Sequence, residues 1–415
     1  MKFKVYLLLF FVFCFSFAKA QQKANPEFEK FAKVQDSLMV KAYEQKDTSA
    51  YIKLLTPFLV KYNALSKEDK QYYIGYYFNS FYNLSCAYAL LNDKGKSIEF
   101  LQKSVKAGFV DYKHMNTDTD LENIRNEVDY QSILRSLKDT YDYLSIIKRA
   151  GAYNANENPI LPSFTYQSAD NPNLVALRKT FNLDSIAGQA GEVNKILNLL
   201  HWIHNLIPHD GTHDNPAIKN AINMIMVCKK DKRGLNCRGL ATVLNECYLS
   251  LGIKSRFLTC MPKDSLGIDN DCHVIDMVYC NQLKKWLWID PTTDSYVMNE
   301  KGELLSVEEV RVRMINDMPL ILNPEANWNR KVAQSKEDYL YNYMAKNLYL
   351  LECPLSSEFD TETREAGKTI SYLELIPLAY FNKSLEKTEV SYDNHKTILV
   401  TYRTNNSNIF WQAPN

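Results

Sequence analysis

Excess charge of either sign is missing from this chain: 49 Lys and Arg stand against 48 Asp and Glu over 415 residues, a formal net charge of +1. So balanced a chain carries no global field to hold nucleic acid or an anionic membrane surface, and neither is expected as a partner. Glycine and proline are also sparse, 13 and 14 residues, which excludes collagen-like and low-complexity architecture. No Cys-x-x-Cys pair occurs among the nine cysteines, so no structural zinc site is expected. What is abundant is apolar and aromatic substance: 46% hydrophobic, with 27 Tyr and 19 Phe, enough to bury sizeable cores in two or three domains.

The leader is distinct from the rest. Lys2 and Lys4 precede an apolar run from Val5 to Phe17, and Ala18-Lys19-Ala20 supplies the small-x-small pattern of a signal-peptidase site. Such a run is too short for the hydrocarbon core of a bilayer, which takes about 20 apolar residues. The expectation is a signal peptide over residues 1–20, cleaved after Ala20, with a secreted or periplasmic product not inserted in a membrane. Val12 and Phe13 are too bulky for lipid attachment at Cys14. Eight cysteines then remain, and an exported chain can oxidise them.

Residues 21–150 read as a helical module, with apolar side chains at three- and four-residue spacing. Phe81, Leu84, Ser85 and Tyr88 fall on one helix and Ser97, Leu101 and Ser104 on a second, with Asn92-Asp93-Lys94-Gly95 as the turn. This alternation of large and small positions resembles a tetratricopeptide unit, though Phe109 stands where the closing proline belongs. A plain helical bundle is the other reading, and either way the region is expected to be an interaction or supporting module that can recruit a protein partner. An Asn- and Pro-rich stretch follows, and residues 151–169 read as a linker.

The segment richest in chemistry starts at Asn236. Leu240, Val243, Leu244, Cys247, Tyr248 and Leu251 recur at helical spacing, with Gly252 as the C-terminal cap and Asn236 as the N-cap, so Cys237 takes the first helical position. The partial positive charge of a helix N-terminus favours the thiolate there, and the unbonded backbone N–H groups can receive an oxyanion. Three strands are expected next, over Lys254 to Cys260, His273 to Tyr279 and Lys285 to Asp290. By alternation His273 shares a face with Ile275, Met277 and Tyr279, and Asp290 shares one with Trp286 and Trp288. If those faces pack on the Cys237 helix, His273 and Asp290 point at the thiol, opposite each other across the strand pair. Thiol, base and orienter is the set used in nucleophilic catalysis.

Four blocks, Asn-Cys-Arg-Gly-Leu-Ala at 236–241, Leu-Gly-Ile-Lys-Ser-Arg-Phe at 251–257, His-Val-Ile-Asp-Met-Val-Tyr at 273–279 and Trp-Leu-Trp-Ile-Asp-Pro-Thr at 286–292, resemble the transglutaminase-like superfamily of papain-like thiol enzymes in order and spacing. The resemblance covers residues 170–325. It implies a papain-like core with an antiparallel sheet packed on the nucleophile helix, with Cys237 as nucleophile, His273 as general base and Asp290 as its orienter. It implies acyl transfer through a thioester on a peptide or protein substrate, by hydrolysis of peptide, isopeptide or amide bonds or by cross-linking, and no cofactor. A non-catalytic scaffold on the same fold is the reading from another class. Where the family often carries a tryptophan just after the histidine, Val274 and Ile275 stand here.

Two other groups of residues invite a site. His201, His204, His209 and His213 lie close in sequence, but no Glu or Cys completes a ligand set, and no metal is expected. Cys260 and Cys272 bracket the 261–271 loop at neighbouring strand ends, a candidate disulfide. Residues 326–415 read as a helix over about 336–348 followed by a β-rich module, with strands at 370–379, 398–404 and 409–412. The expected class is α+β.

Overall fold

The computed structural model of the protein describes residues 25–156, 159–263, 272–380 and 388–414. The expected leader lies outside them, as does most of the 261–271 loop. The chain divides into two compact units, one up to Asp142 and one from Tyr143 on. The class is α+β, a helical first unit and a mixed sheet in the second.

The first unit contains α1 (Pro26–Glu44), α2 (Thr48–Asn63), α3 (Ile74–Leu90), α4 (Lys94–Ala107) and α5 (Val128–Tyr141). Asp93 caps α4 by accepting the Lys96 N–H, and Gly108 closes that helix at a φ of 118°, a left-handed conformation that suits glycine. The small residues of the α3–α4 pair are buried and hydrogen-bonded: the Ser97 hydroxyl donates to the Ser85 carbonyl at 2.8 Å, and that of Ser104 to the Phe78 carbonyl at 2.8 Å. A larger side chain at either serine would force the two helices apart. Phe109 is buried and stacks on Tyr82 with ring centroids 4.4 Å apart.

The second unit is organised around α6 (Glu192–Leu206), α7 (Ala221–Asp231), α8 (Cys237–Ser250) and seven strands: β1 (Ser255–Met261), β2 (His273–Cys280), β3 (Lys285–Ile289), β4 (Leu350–Pro354), β5 (Thr369–Leu375), β6 (Glu389–Tyr392) and β7 (Ile398–Thr404). They form one sheet in the order β6-β7-β5-β4-β1-β2-β3, antiparallel throughout except for the parallel β5–β7 pair. Helix α8 is buried from Gly239 to Ser250 and shares a core with Val278, Leu287 and Ile289 on one face of the sheet. The other face, carrying Ile275, Met277, Trp286 and Trp288, packs into a second core with Val310, Tyr339 and Leu340.

Three expectations need correction. Residues 326–415 do not stand apart as a module, because β4, β5 and β7 continue the β1–β2–β3 sheet through the β1–β4 pairing of Thr259 with Glu352 and Cys260 with Leu351. Residues 151–169 are no free linker: Asn154 donates to the Asn405 carbonyl at 2.8 Å, and Thr165 and Tyr166 pair with Ser356 and Ser357. The unit boundary therefore falls at Asp142, ahead of the expected 150. Finally, Ile409 to Gln412 does not form a strand; Asn406 caps a helical turn over Ser407–Phe410 that buries Phe410.

Candidate active site

Asn236 leaves the helical region at φ −73°, ψ 174° and its side chain accepts the Gly239 N–H, which starts α8 at Cys237. A second asparagine fixes that cap. Asn215 accepts the Asn236 backbone N–H at 3.1 Å and donates to the Asn236 side-chain oxygen at 2.7 Å. It sits so close that a Cβ on Gly239 would lie 2.6 Å from its amide oxygen, so the third helical position has room only for glycine. The cap thus dictates both where the helix begins and the identity of a residue inside it.

The Cys237 side chain is partly exposed, packed against Ala241, Phe257 and Val274. Burial alone would push its thiol up, but hydrogen bonds with His209 and His273, and the charge those rings carry, bring it down to about 6. Other cysteines behave oppositely: burial pushes Cys86, Cys247 and Cys260 well up, and Cys228 to about 11. The candidate disulfide is absent among the described residues, Cys260 and Cys272 not being joined, and Cys260 sits opposite His273 in the β1–β2 ladder.

His273 opens β2, is 2% exposed, and holds Asp290 with Nε2 at 2.7 Å from Oδ2. Burial alone would lower its pKa, but the Asp290 charge and hydrogen bond, with a contribution from Cys237, bring it up to about 10. Nε2 being committed to Asp290, Nδ1 is the ring nitrogen left for the thiol. Asp290 follows β3 and is fully buried. It accepts from the Thr292 N–H at 2.8 Å, the Thr293 hydroxyl at 3.2 Å and the Tyr339 hydroxyl at 2.7 Å. Burial alone would raise its pKa, but His273 and these donors hold it below the ordinary carboxylate value. The Trp288 indole donates in turn to the Tyr339 oxygen at 3.0 Å. A continuous hydrogen-bonded chain therefore runs from Trp288 through Tyr339 and Asp290 to His273, whose ring lowers the pKa of the Cys237 thiol.

The structure brings Cys237, His273 and Asp290 together, though not by the route expected. Their strand faces pack away from α8, in the core with Tyr339. The ladder pairs Asp276 with Ile289 and Met277 with Trp288, a register that sets Asp290 beside Ile275 and diagonal to His273. The meeting with Cys237 happens at the end of the sheet, where His273 is the first strand residue. Diagonal neighbours two residues apart remain within reach of long side chains.

Two contributors escape a reading of the sequence. Tyr339 lies 49 positions beyond Asp290 on a widened helical turn, Glu337–Met344, and nothing local marks its contact. His209 stands in sequence among other histidines, which are separately occupied: His201 with Asp294 at 2.7 Å, His204 with the Pro291 carbonyl and Asn327, and His213 with Asp210. The first two clamp the turn that carries Asp290. Among the described residues no group of three or more His, Cys, Asp or Glu is placed to hold a metal ion.

No family model matches the chain. A stretch of 60 residues is 30% identical to a chloroplastic protein of Arabidopsis thaliana, covering 14% of this chain and 18% of that protein. Among solved structures, a protein provisionally assigned as a cysteine protease, from Cytophaga hutchinsonii, is 20% identical and aligns over 35% of this chain and 43% of its own, with a TM-score of 0.22. That likeness is too slight to describe this fold, and the chain spans under half the length of either protein.

Proposed function

We propose that this chain is a transglutaminase-like cysteine enzyme that transfers acyl groups through a thioester on Cys237. The observation that carries this reading is the polar chain that ends at His273 beside the thiol: a carboxylate with four donors, a histidine committed to it through one nitrogen, and a thiol brought down to about 6 at the first position of a buried helix. Burial of His273 and Asp290 leaves the sulfur as the member of the three that substrate meets first.

In the proposed reaction the thiolate attacks an amide or peptide carbonyl, and the carbon–oxygen π pair moves onto oxygen. As the tetrahedral intermediate collapses, the carbon–nitrogen bond breaks and the imidazolium of His273 gives its proton to the leaving amine. Neutral His273 then takes a proton from water, which attacks the thioester and frees the thiolate. Asp290 stabilises the imidazolium formed along the way. Water as the acceptor makes the chain a peptide, isopeptide or amide hydrolase, which is the outcome we propose; an amine as the acceptor makes it a cross-linking enzyme. The basic and apolar leader supports action outside the cytoplasm, and no helix among the described residues is long and apolar enough to cross a membrane.

Glutamine-bearing peptides incubated with and without a primary amine, followed by mass, test the reading. Hydrolysis abolished by Cys237→Ala is expected. Amine incorporation that depends on Cys237 would replace hydrolysis by cross-linking, and turnover that survives Cys237→Ala would remove the thiol from the reaction.

A further inference from the structure

Two imidazoles lower the pKa of the Cys237 thiol, and proton transfer uses one of them. The other, His209, is held as firmly as a residue of a regular element. Its segment pairs with the stretch leading into α8: Asp210 donates to the Leu235 carbonyl at 2.7 Å, and Leu235 to the Pro208 carbonyl at 3.2 Å. The two backbones approach so closely that a Cβ on Gly234 would lie 2.3 Å from the Pro208 carbonyl oxygen. From the other side, Asn329 accepts the His209 backbone N–H at 2.6 Å and returns a hydrogen bond to its carbonyl at 3.0 Å. The ring rests against Trp328, with centroids 4.7 Å apart.

Acyl transfer needs a group that the base, the nucleophile and the orienter do not supply, a donor for the oxyanion of the tetrahedral intermediate. The Cys237 backbone N–H, in the first turn of α8, provides one. Other polar side chains around the helix start are committed elsewhere. Asn215 and Asn236 hold each other and the cap, and Arg238 turns to Thr259 at 2.9 Å and to Glu362. We propose that His209 is a second catalytic histidine, the side-chain donor of the oxyanion site. The proposal rests on the assignment of Cys237 as nucleophile. As the carbon–sulfur bond forms, the carbonyl oxygen gains its charge between the His209 N–H and the Cys237 N–H. His209 keeps its proton throughout, and the proton for the leaving amine comes from His273.

Two reagents separate this role from mere support of the thiol. Iodoacetamide alkylates the thiolate without forming an oxyanion, whereas p-nitrophenyl acetate acylates it through a tetrahedral oxyanion and releases a leaving group that needs no proton. For His209→Ala the acylation rate is expected to fall about a hundredfold, the usual loss on removing one oxyanion donor. Alkylation of the same thiol at about pH 9.5, where it is ionised in both proteins, is expected to change by no more than about threefold, the nucleophilicity difference that follows a modest pKa change. His209→Gln, which keeps an N–H donor, should recover a measurable part of the acylation rate, and a thermal melt checks that each variant is folded. An equal fall in both reactions, or no fall in acylation, overturns the assignment. A wild-type Cys237 that reacts with neither reagent faster than a peptide thiol instead overturns the thiol-enzyme reading on which it rests.

Discussion

Replacing Asp290 by asparagine removes the charge that holds the His273 imidazolium while leaving the shape of the turn nearly unchanged. Either orientation of the asparagine is harmful. With its NH₂ toward Nε2, His273 must carry its proton on Nδ1, the nitrogen facing the thiol, and cannot accept another there; with its oxygen toward Nε2, no ion pair remains. The His273 pKa, brought up to about 10 mainly by Asp290, then returns toward its ordinary value of about 6.5, so the ring is neutral above neutral pH and ceases to favour the thiolate. His209 still lowers the thiol's pKa, and the Cys237 midpoint should rise from about 6 by roughly 1–2 units towards the free-thiol value of ~8.5, about 1.4–3 kcal/mol of lost thiolate stabilisation. The rate at a single pH is a poor measure, because a less acidic thiolate is intrinsically more nucleophilic, with a Brønsted slope of about 0.4–0.5. The full pH profile of iodoacetamide alkylation, resolved by peptide mass, is the assay. The variant curve should run a few-fold below wild type near about pH 6 and below, and cross above it near about pH 7. A midpoint within about 0.3 unit of wild type, in a variant with an unchanged melt, would refute the role given to Asp290.

Tyr339→Phe deletes a donor to Asp290 and leaves the buried Trp288 N–H without its acceptor; it should cost about 1–3 kcal/mol of stability and raise the alkylation midpoint by less than Asp290→Asn does. Asp276 is fully buried in β2 with no hydrogen-bond partner on either carboxyl oxygen among the described residues, and burial followed by the Asp290 charge pushes its pKa well up. Because the folded value lies above the unfolded ~3.9, stability is lost as pH rises past about 4, so Asp276→Val should stabilise the protein by ~1–4 kcal/mol at about pH 8 and by less at about pH 4 in denaturant titrations. A gain that does not grow with pH would contradict the neutral, unpaired carboxyl. Gly239→Ala drives a Cβ into the Asn215 amide and should cost about 1–3 kcal/mol, with Asn215→Ala in the same chain restoring part of that stability; a fully tolerated alanine would contradict the close approach.

Much of this was legible in the residues, for identifiable reasons. Helix α8 announced itself because a long buried helix must repeat its apolar positions, and its cap because asparagine before such a run has few other uses. The β1–β2–β3 meander was legible since its strands are consecutive and close. The faces of those strands were misassigned because both are apolar: Val274 and Val278 alternate with Ile275 and Met277, so alternation alone could not say which side α8 covers. The membership of 350–404 in the same sheet depends on the β1–β4 pairing of segments far apart in sequence, which no local pattern encodes. Tyr339 and His209 belong to the same class of invisibility, since each reaches the site through tertiary packing.

The central claim is that Cys237 is a low-pKa nucleophile paired with His273. Its most direct test is competition of the native protein with a free cysteine peptide for limiting iodoacetamide at about pH 6.5, read cysteine by cysteine by mass spectrometry. Cys237 should label ahead of the peptide and of every other thiol in the chain, and this advantage should vanish in His273→Ala. Labelling of Cys237 no faster than the peptide, or an advantage that survives His273→Ala undiminished, would contradict the account.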